Sequence, residues 1–387
     1  MKILQIHNEY RFKGGEETVV ENERDLLVKN DCKVFQLIRK NSNEIINFFD
    51  EIKVAWNVVY SKKSKSIVFD KIKKINPDIV HIHNTFPLWS FSIIDACYEM
   101  KIPVVMTLHN FRLICAKGVF YRNNGICEIC SKSSPLNAIR YGCYQNSKIK
   151  SIPVSLMIQK YRKGLKLLKK VNKFIVLTEF SKKKFLEINF PENKIAVKPN
   201  FIPNNFKFNT ETKKSGFLYA SRLSEEKGIL DLMIAHKKFN FDLTVCGDGP
   251  LKKELISNKD IKYLGFLNKN DLIKIMEKSK FLIFPSKCYE TFGLTLIEAF
   301  ALETIVIAPN LGSISSIIKH EKNGILFKPN DIDDLVNKIK WVLSNTNKCE
   351  EIKRNAKKEF VEKYSEDANY KMLIKIYEEA IEENQNN

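Results

Sequence analysis

Short apolar runs alternate along this chain with stretches whose apolar residues recur at helical spacing. Lys2–His7 reads as a first strand, Asn8 to Glu16 with Gly14-Gly15 as a polar loop, and Thr18–Lys29 as a helix carrying Val19, Val20, Leu26 and Leu27 on one side. Cys32–Ile38, Ile79–Ile82, Val104–Leu108 and Lys173–Leu177 are further runs of strand length, and Ser181 is expected to cap the short helix after the last of them. Residues 198–214, rich in Asn, Pro, Thr and Lys, read as a link. A second series follows: Phe217–Ala220, Leu243–Cys246, Ile261–Tyr263, Phe281–Phe284 and Thr304–Ala308, with a terminal helix over Ser365 to Glu382. Strand, Gly-containing loop, helix, strand is the order of a doubly wound α/β domain, and it occurs in both halves.

The second half is organised around Phe281 to Ala301, FLIFPSKCYETFGLTLIEAFA. An apolar strand is broken by Pro285-Ser286-Lys287-Cys288, and Gly293 to Ala301 reads as a helix. A strand ending at a helix N-terminus leaves N–H groups pointing outward, here near Phe292, Gly293 and Leu294, where the dipole favours an anion. Glu290 lies in the loop and Glu298 inside the helix, placed to hold sugar hydroxyls and a ribose; the plain alternative is two solvated acids near a helix start. Arg222 and Lys227 follow one strand and precede a helix, where two cations can clamp a diphosphate. His83 and His109 fall at strand ends in the first half, where ligands of open α/β sheets bind, although a histidine there is often structural.

Length and charge add constraints. At 387 residues the chain exceeds one typical core and suits two domains. The net charge of +19 implies an acidic partner: nucleic acid, an anionic membrane surface or a phosphorylated substrate. Neither a secretory signal nor an apolar run long enough to span a bilayer is apparent. Nine cysteines, an odd number with several in predicted strands, point to a reducing cytoplasm. Cys115, Cys127, Cys130 and Cys143 form an insert of 29 residues that can either close a structural zinc site or hold neighbouring free thiols. From Lys148 to Lys184 there are twelve Lys or Arg and one acid, Glu179. The basic helix expected over residues 151–170 therefore suits an anionic inner-leaflet surface, or a solvated face.

Six segments in order carry a family resemblance: GGEETVVENE from Gly14, HNTFP from His83, TLHNFRLIC from Thr107, SRLSEEKG from Ser221, CGDGP from Cys246 and ETFGLTLIE from Glu290. Over nearly its whole length the chain resembles the family 4 retaining glycosyltransferases of the GT-B fold, and the cysteine-bearing segment looks most like bacterial members that build surface polysaccharides. The resemblance implies an α/β GT-B architecture of two Rossmann-like domains facing a cleft: an N-terminal acceptor domain over 1–198 with the insert at about 115–143, a nucleotide-sugar domain over 199–364, and a terminal helix over 365–387 returning to the first. It implies that Arg222 and Lys227 hold a diphosphate, that Glu298 binds the ribose, and that Glu290 contacts the donor sugar. Backbone of Thr291, Phe292, Gly293 and Leu294 would lie near phosphate and sugar, with Gly247 of CGDGP also in the donor site. Gly15 would approach the diphosphate from the other domain and His109 the sugar, so that Glu290 and His109 are the candidate catalytic residues. A nucleotide-diphosphate sugar is then the donor, a glycan or lipid-linked saccharide the acceptor, and no metal is required for the chemistry.

Two positions depart from the family pattern. Glu303 stands where a Gly is usual after the second glutamate, and Gly312-Ser313 runs on to Ser316 where a Gly-Gly and a Glu are usual. Other readings are a glycosidase using the two carboxylates, a sugar-nucleotide epimerase on the same fold, or a basic nucleic-acid binder, although zinc-finger, RRM and KH signatures are missing.

Overall fold

The computed structural model of the chain describes residues 1–10, 14–162, 169–203 and 214–386. Two compact units emerge. The first comprises Met1–Phe120, Cys127–Asn200 and Asn369–Asn387; the second comprises Tyr121–Ile126 and Phe201–Ala368.

The first unit is built on β1 (Lys2–Glu9), β2 (Lys33–Lys40), β3 (Ile79–Ile82) and β4 (Val104–Thr107). After a small antiparallel hairpin that belongs to the second unit, β5 (Tyr121–Arg122) and β6 (Gly125–Ile126), come β7 (Lys173–Val176) and β8 (Ile195–Val197) of the first. The six long-range strands form one parallel sheet in the order β2-β1-β3-β4-β7-β8. Strand order reverses between β1 and β3, which puts the ligand-binding crevice of such a sheet at the carboxyl ends of those strands. β3 and β4 are buried along their whole length, as their unbroken apolar character requires. The terminal helix Glu366–Gln385 places Leu373, Ile376, Tyr377 and Ala380 in a core with Ile3, Ile79, Val105 and Ile175.

The second unit repeats the plan. β9 (Ser215–Ala220), β10 (Leu243–Cys246), β11 (Lys262–Tyr263), β12 (Ser279–Ile283), β13 (Ile305–Pro309) and β14 (Ile325–Phe327) form a parallel sheet in the order β11-β10-β9-β12-β13-β14, with the reversal between β9 and β12. Its core joins Phe217, Tyr219, Phe281 and Ile307 from the strands to Leu232, Leu335 and Ile339 from covering helices.

Three local expectations need correction. The first helix spans Gly15–Lys29 and starts three residues early, because the Glu17 carboxylate accepts from Gly14 N at 2.8 Å and Tyr10 N at 3.0 Å and so satisfies N–H groups at the helix start. Thr178, not Ser181, caps the helix Glu179–Leu186: the threonine oxygen accepts from Ser181 N at 3.1 Å. Lys198 does not begin a solvated link. It is 2 % exposed and anchored on Asn369 Oδ1 at 2.9 Å; the link itself lies mostly outside the described residues.

Candidate active site

In the second unit the loops leaving β9 and β12 flank the point of strand reversal. The β9 loop ends in a short turn, Glu225–Lys227, stopped by Gly228 at φ +74. A Cβ on Gly228 would collide with the Pro285 carbonyl, so glycine is what lets the two loops touch. Backbone contact follows, with Lys287 N donating to Glu226 O at 2.9 Å. This seam brings Lys227 Nζ to 2.6 Å from Glu290 Oε1, and Ser286 Oγ donates to the same oxygen at 2.7 Å.

Gly247, at φ +142, performs a similar service for the β10 loop, since a Cβ there would strike the Ser221 carbonyl. Leu223 N donates to Asp248 O at 3.0 Å across that contact. The Tyr219 hydroxyl donates to Arg222 O at 3.0 Å and reaches Lys227 O at 3.4 Å, fixing the loop between them. The Arg222 side chain is exposed and, among the described residues, makes no ion pair or hydrogen bond.

Burial alone would lower the pKa of Lys227, but the Glu290 carboxylate outweighs it and raises the value, so the ammonium is permanent. Cys288 beside them is pushed up to about 12 by burial, with Glu290 adding to the effect, and stays a thiol. Glu298 is 2 % exposed inside the helix Leu294–Ala301 and is ion-paired with Lys269. Gly293 precedes that helix at φ +94 and provides no side-chain cap, which leaves first-turn N–H groups to other acceptors. The Phe292 side chain is buried edge-on against Tyr364 at 5.9 Å, so its role is packing and only its backbone faces the loop. Thr291 lies half-buried between Glu290 and Phe292.

The structure thus joins Lys227 to Glu290, puts Arg222 and Gly247 on the adjoining loops, and pairs Glu298 with Lys269. Lys269 and Ser286 escaped the sequence reading. Their partners were visible as isolated acids, but the lysine and serine carry no motif of their own.

Glu303, at the usual glycine position, has φ +55, a left-handed conformation that disfavours any side chain. Glu303→Gly is therefore expected to raise unfolding stability by about 1 kcal/mol. A denaturant midpoint that moves up at constant m would show it, and an unchanged or lower midpoint would refute it.

In the first unit Gly15 is the exposed first residue of its helix. Beside it the Glu16 carboxyl is pushed up to about 8 by burial and by Glu17, with Arg112 opposing, and its Oε1 lies 4.0 Å from His7 Nδ1. His7 is lowered to about 4 by burial and by His83. His83 Nδ1 and His109 Nε2 are 3.1 Å apart with their rings stacked. Burial and neighbouring histidines hold both neutral, His83 at about 4 and His109 well below its usual value. A pocket at the ends of β3 and β4 is walled by His83, His109, Asn110, Arg112, Phe86 and Met157. The Arg112 guanidinium lies over the Phe86 ring at 4.2 Å.

Behind these histidines is a charge cluster that the sequence reading missed. Glu23 Oε1 is 2.9 Å from His81 Nδ1 and 3.2 Å from His83 Nε2, and Glu23 Oε2 is 3.4 Å from Lys198 Nζ. The Tyr377 hydroxyl meets His81 Nδ1 at 2.7 Å, and Thr107 Oγ1 meets His81 Nε2 at 2.8 Å. Among the described residues Glu23, His81 and His83 are the group whose ligand atoms converge within 4.8 Å, but Lys198 already supplies the cation. The signal for it was an acid on the apolar side of a helix, between Val19, Val20 and Leu26, Leu27.

The four cysteines of the insert gather without forming so tight a group. Burial, and then the neighbouring Cys115, Cys143 and Cys127, push Cys130 up to about 12. The basic helix is described over Lys148–Arg162; residues 163–168, within its expected span, lie outside the described residues. Its Ser151, Val154, Ser155, Met157 and Ile158 are buried, so the helix packs one face on its unit. Among the described residues no helix is long and apolar enough to cross a membrane.

Comparison with known proteins places these features in context. The model of Glycosyltransferase Family 4 matches residues 13–206, and that of the Glycosyl transferases group 1 matches residues 201–359. An uncharacterized glycosyltransferase of Methanocaldococcus jannaschii is 32 % identical over 220 residues; the match takes in 50 % of this chain and spans 56 % of that relative. The alpha-monoglucosyldiacylglycerol synthase of Acholeplasma laidlawii is 25 % identical over 332 residues, 81 % of this chain and 78 % of its own. Among solved structures, Anabaena HepE in complex with UDP and glucose superposes with a TM-score of 0.67 at 18 % identity, covering 97 % of this chain and 99 % of the other.

Proposed function

From the premise that this chain belongs to the family 4 glycosyltransferases, enzymes of the GT-B fold, we propose that it transfers a sugar with retention of anomeric configuration. The donor is a nucleotide-diphosphate sugar and the acceptor a glycan or lipid-linked saccharide, in the building of a bacterial surface polysaccharide. The observation that carries the reading is the Lys227–Glu290 pair at the strand reversal of the second unit, with the unpaired Arg222 on the same loop. Anabaena HepE has also been solved in complex with UDP-glucose, and this and the alpha-monoglucosyldiacylglycerol synthase among the relatives support the choice of donor and acceptor class.

The chemistry follows from where charge develops. As the sugar–oxygen bond breaks, negative charge grows on the leaving diphosphate. Lys227, Arg222 and the N–H groups at Gly293 and Leu294 are donors for that charge, and Lys227 is held in place beforehand by Glu290. Glu298 accepts from the ribose hydroxyls and Glu290 orients the donor sugar. His109, in the first unit, is kept neutral by its burial and so serves as a hydrogen-bonding group rather than a cation. In same-face displacement the departing phosphate takes the acceptor proton, so no protein nucleophile is needed. The chain works in the cytoplasm at the inner leaflet, drawn there by the basic stretch 151–170, whose charge balance supports that placement.

Thermal unfolding against a panel of sugar nucleotides tests the donor reading. One nucleotide sugar is expected to raise the midpoint above all others, and its free nucleoside diphosphate to retain much of the rise. A midpoint unmoved by every nucleotide at millimolar concentration would end the proposal.

A further inference from the structure

The first unit exposes a concentrated apolar face on two helices that the transfer chemistry does not use. Ile46, Phe49 and Trp56, from the helix Phe48–Asn57 and its approach, and Ile149, on the helix Lys148–Arg162, are each 77–80 % exposed. Ile152 and Leu156 on the second helix are 41 % and 43 % exposed. Phe49 and Trp56 are seven residues apart, and Ile149, Ile152 and Leu156 are spaced by three and four, so each set lines one face of its helix. The two helices lie against one another, tied by Lys150 Nζ to Glu51 Oε2 at 2.9 Å. The Tyr161 hydroxyl, in the last turn of the second helix, donates to Val59 O just past the end of the first at 3.1 Å.

Charge decides what such a face meets. Lys53 on the first helix, and Lys148 and Lys150 on either side of Ile149 on the second, are exposed. Of the acids on the first helix, Glu51 is taken up by Lys150, and Asp50 accepts from the backbone N–H groups of Ile46 and Asn47. Two copies joined through this face would bring two lysine rims together, which opposes self-association. Aromatic side chains flanked by lysines are instead the composition of a surface at the boundary between lipid headgroups and acyl chains.

We propose that this face docks the protein on an anionic bilayer, with Phe49 and Trp56 entering the interfacial region and the lysine rim lying on the lipid phosphates. The inference deepens the membrane part of the proposed function. It adds apolar insertion to electrostatic attraction, and it assigns the insertion chiefly to a helix far in sequence from the basic stretch.

The test uses the full chain with vesicles of phosphatidylcholine, alone or mixed with phosphatidylglycerol. Wild type is expected to sediment with the anionic vesicles only. Trp56 emission should shift to shorter wavelength and be quenched by brominated acyl chains, a clean signal because Trp89 is buried and Trp341 half-buried. Phe49→Asp with Trp56→Asp should lower vesicle partitioning at least about tenfold without moving the thermal midpoint, as both side chains project into solvent. If that variant partitions like wild type, the apolar face is not the contact, although attraction by the basic stretch survives. If wild type binds no anionic vesicle even at low salt, both membrane readings fail. If the substitutions convert a dimer to a monomer in sedimentation velocity, the face belongs to a second copy and the proposal is overturned. Sugar-nucleotide stabilisation is independent of all three outcomes, so the transferase reading is judged separately.

Discussion

Replacing Lys227 with Ala is expected to slow release of nucleoside diphosphate from the sugar nucleotide by about a hundredfold or more, the scale of losing one fixed donor to a developing oxyanion. The loss should fall mainly on kcat, because the charge Lys227 answers is largest in the transition state. The ammonium is held at 2.6 Å from Glu290 Oε1, with its charged form favoured, so it is in place before reaction. Glu298→Ala should cost at least about tenfold, and mainly through KM, since the proposed ribose contact would be made equally in ground and transition states. It also strands Lys269, so the thermal midpoint of each variant must be checked beside its turnover. Wild-type turnover in both variants would remove this site from the chemistry. A loss in kcat for Glu298→Ala with no change in KM would reassign that carboxylate to the reacting end of the donor.

The contrast between Lys227 and Glu23 shows how far the sequence could be read. Lys227 and Glu290 are 63 residues apart, yet both belong to short stretches at predicted strand ends, and a doubly wound sheet brings such ends together wherever strand order reverses. Periodicity also located the central strands, since β3 and β4 are buried on both faces and their apolar runs are unbroken. Boundaries were less legible where side chains replace backbone partners: Glu17 starts its helix early and Thr178 displaces Ser181 as the cap. Glu23 was hidden for a different reason. Its partners come from three distant places, His81 and His83 on and after β3, Lys198 after β8, and Tyr377 through His81 on the terminal helix. No local pattern announces a contact assembled by the whole topology. Only its place among Val19, Val20, Leu26 and Leu27 marks it as an acid on a core face. The exposed apolar pair Phe49 and Trp56 was missed for the converse reason, because amphipathic spacing reports which residues share a face and not whether that face is covered.

Glu23→Ala is expected to destabilise the protein by about 3–5 kcal/mol, the usual loss when one partner of a buried charge set is removed. Burial alone would raise the Glu23 pKa, but His81, Lys198 and His83 outweigh it and hold it well below 4.5. A carboxyl depressed in the folded state adds stability that is complete above the unfolded value and lost as pH falls through the folded one, so acid attacks this cluster below pH 4.5. The histidines set a second window. His7 and His83 titrate near 4 in the folded protein against 6.5 in the unfolded chain, so the unfolded state binds more protons between those values and stability rises with pH across them. One such shift is worth about 3 kcal/mol when complete. Glu16 acts oppositely: with a folded value of about 8 against 4.5, it binds an extra proton in the folded state, and stability falls as pH rises through that range. Wild type should therefore be most stable between about pH 6 and 7, where the histidines are neutral and the Glu16 proton is largely retained. Glu16→Gln should flatten the alkaline limb and steepen the rise between pH 4.5 and 6.5, where Glu16 otherwise opposes the histidines. Urea midpoints measured from about pH 4 to pH 9 decide the matter. In Glu16→Gln a flat profile between 4 and 6.5 would mean that His7 and His83 charge freely, and the buried network behind His109 would lose its basis.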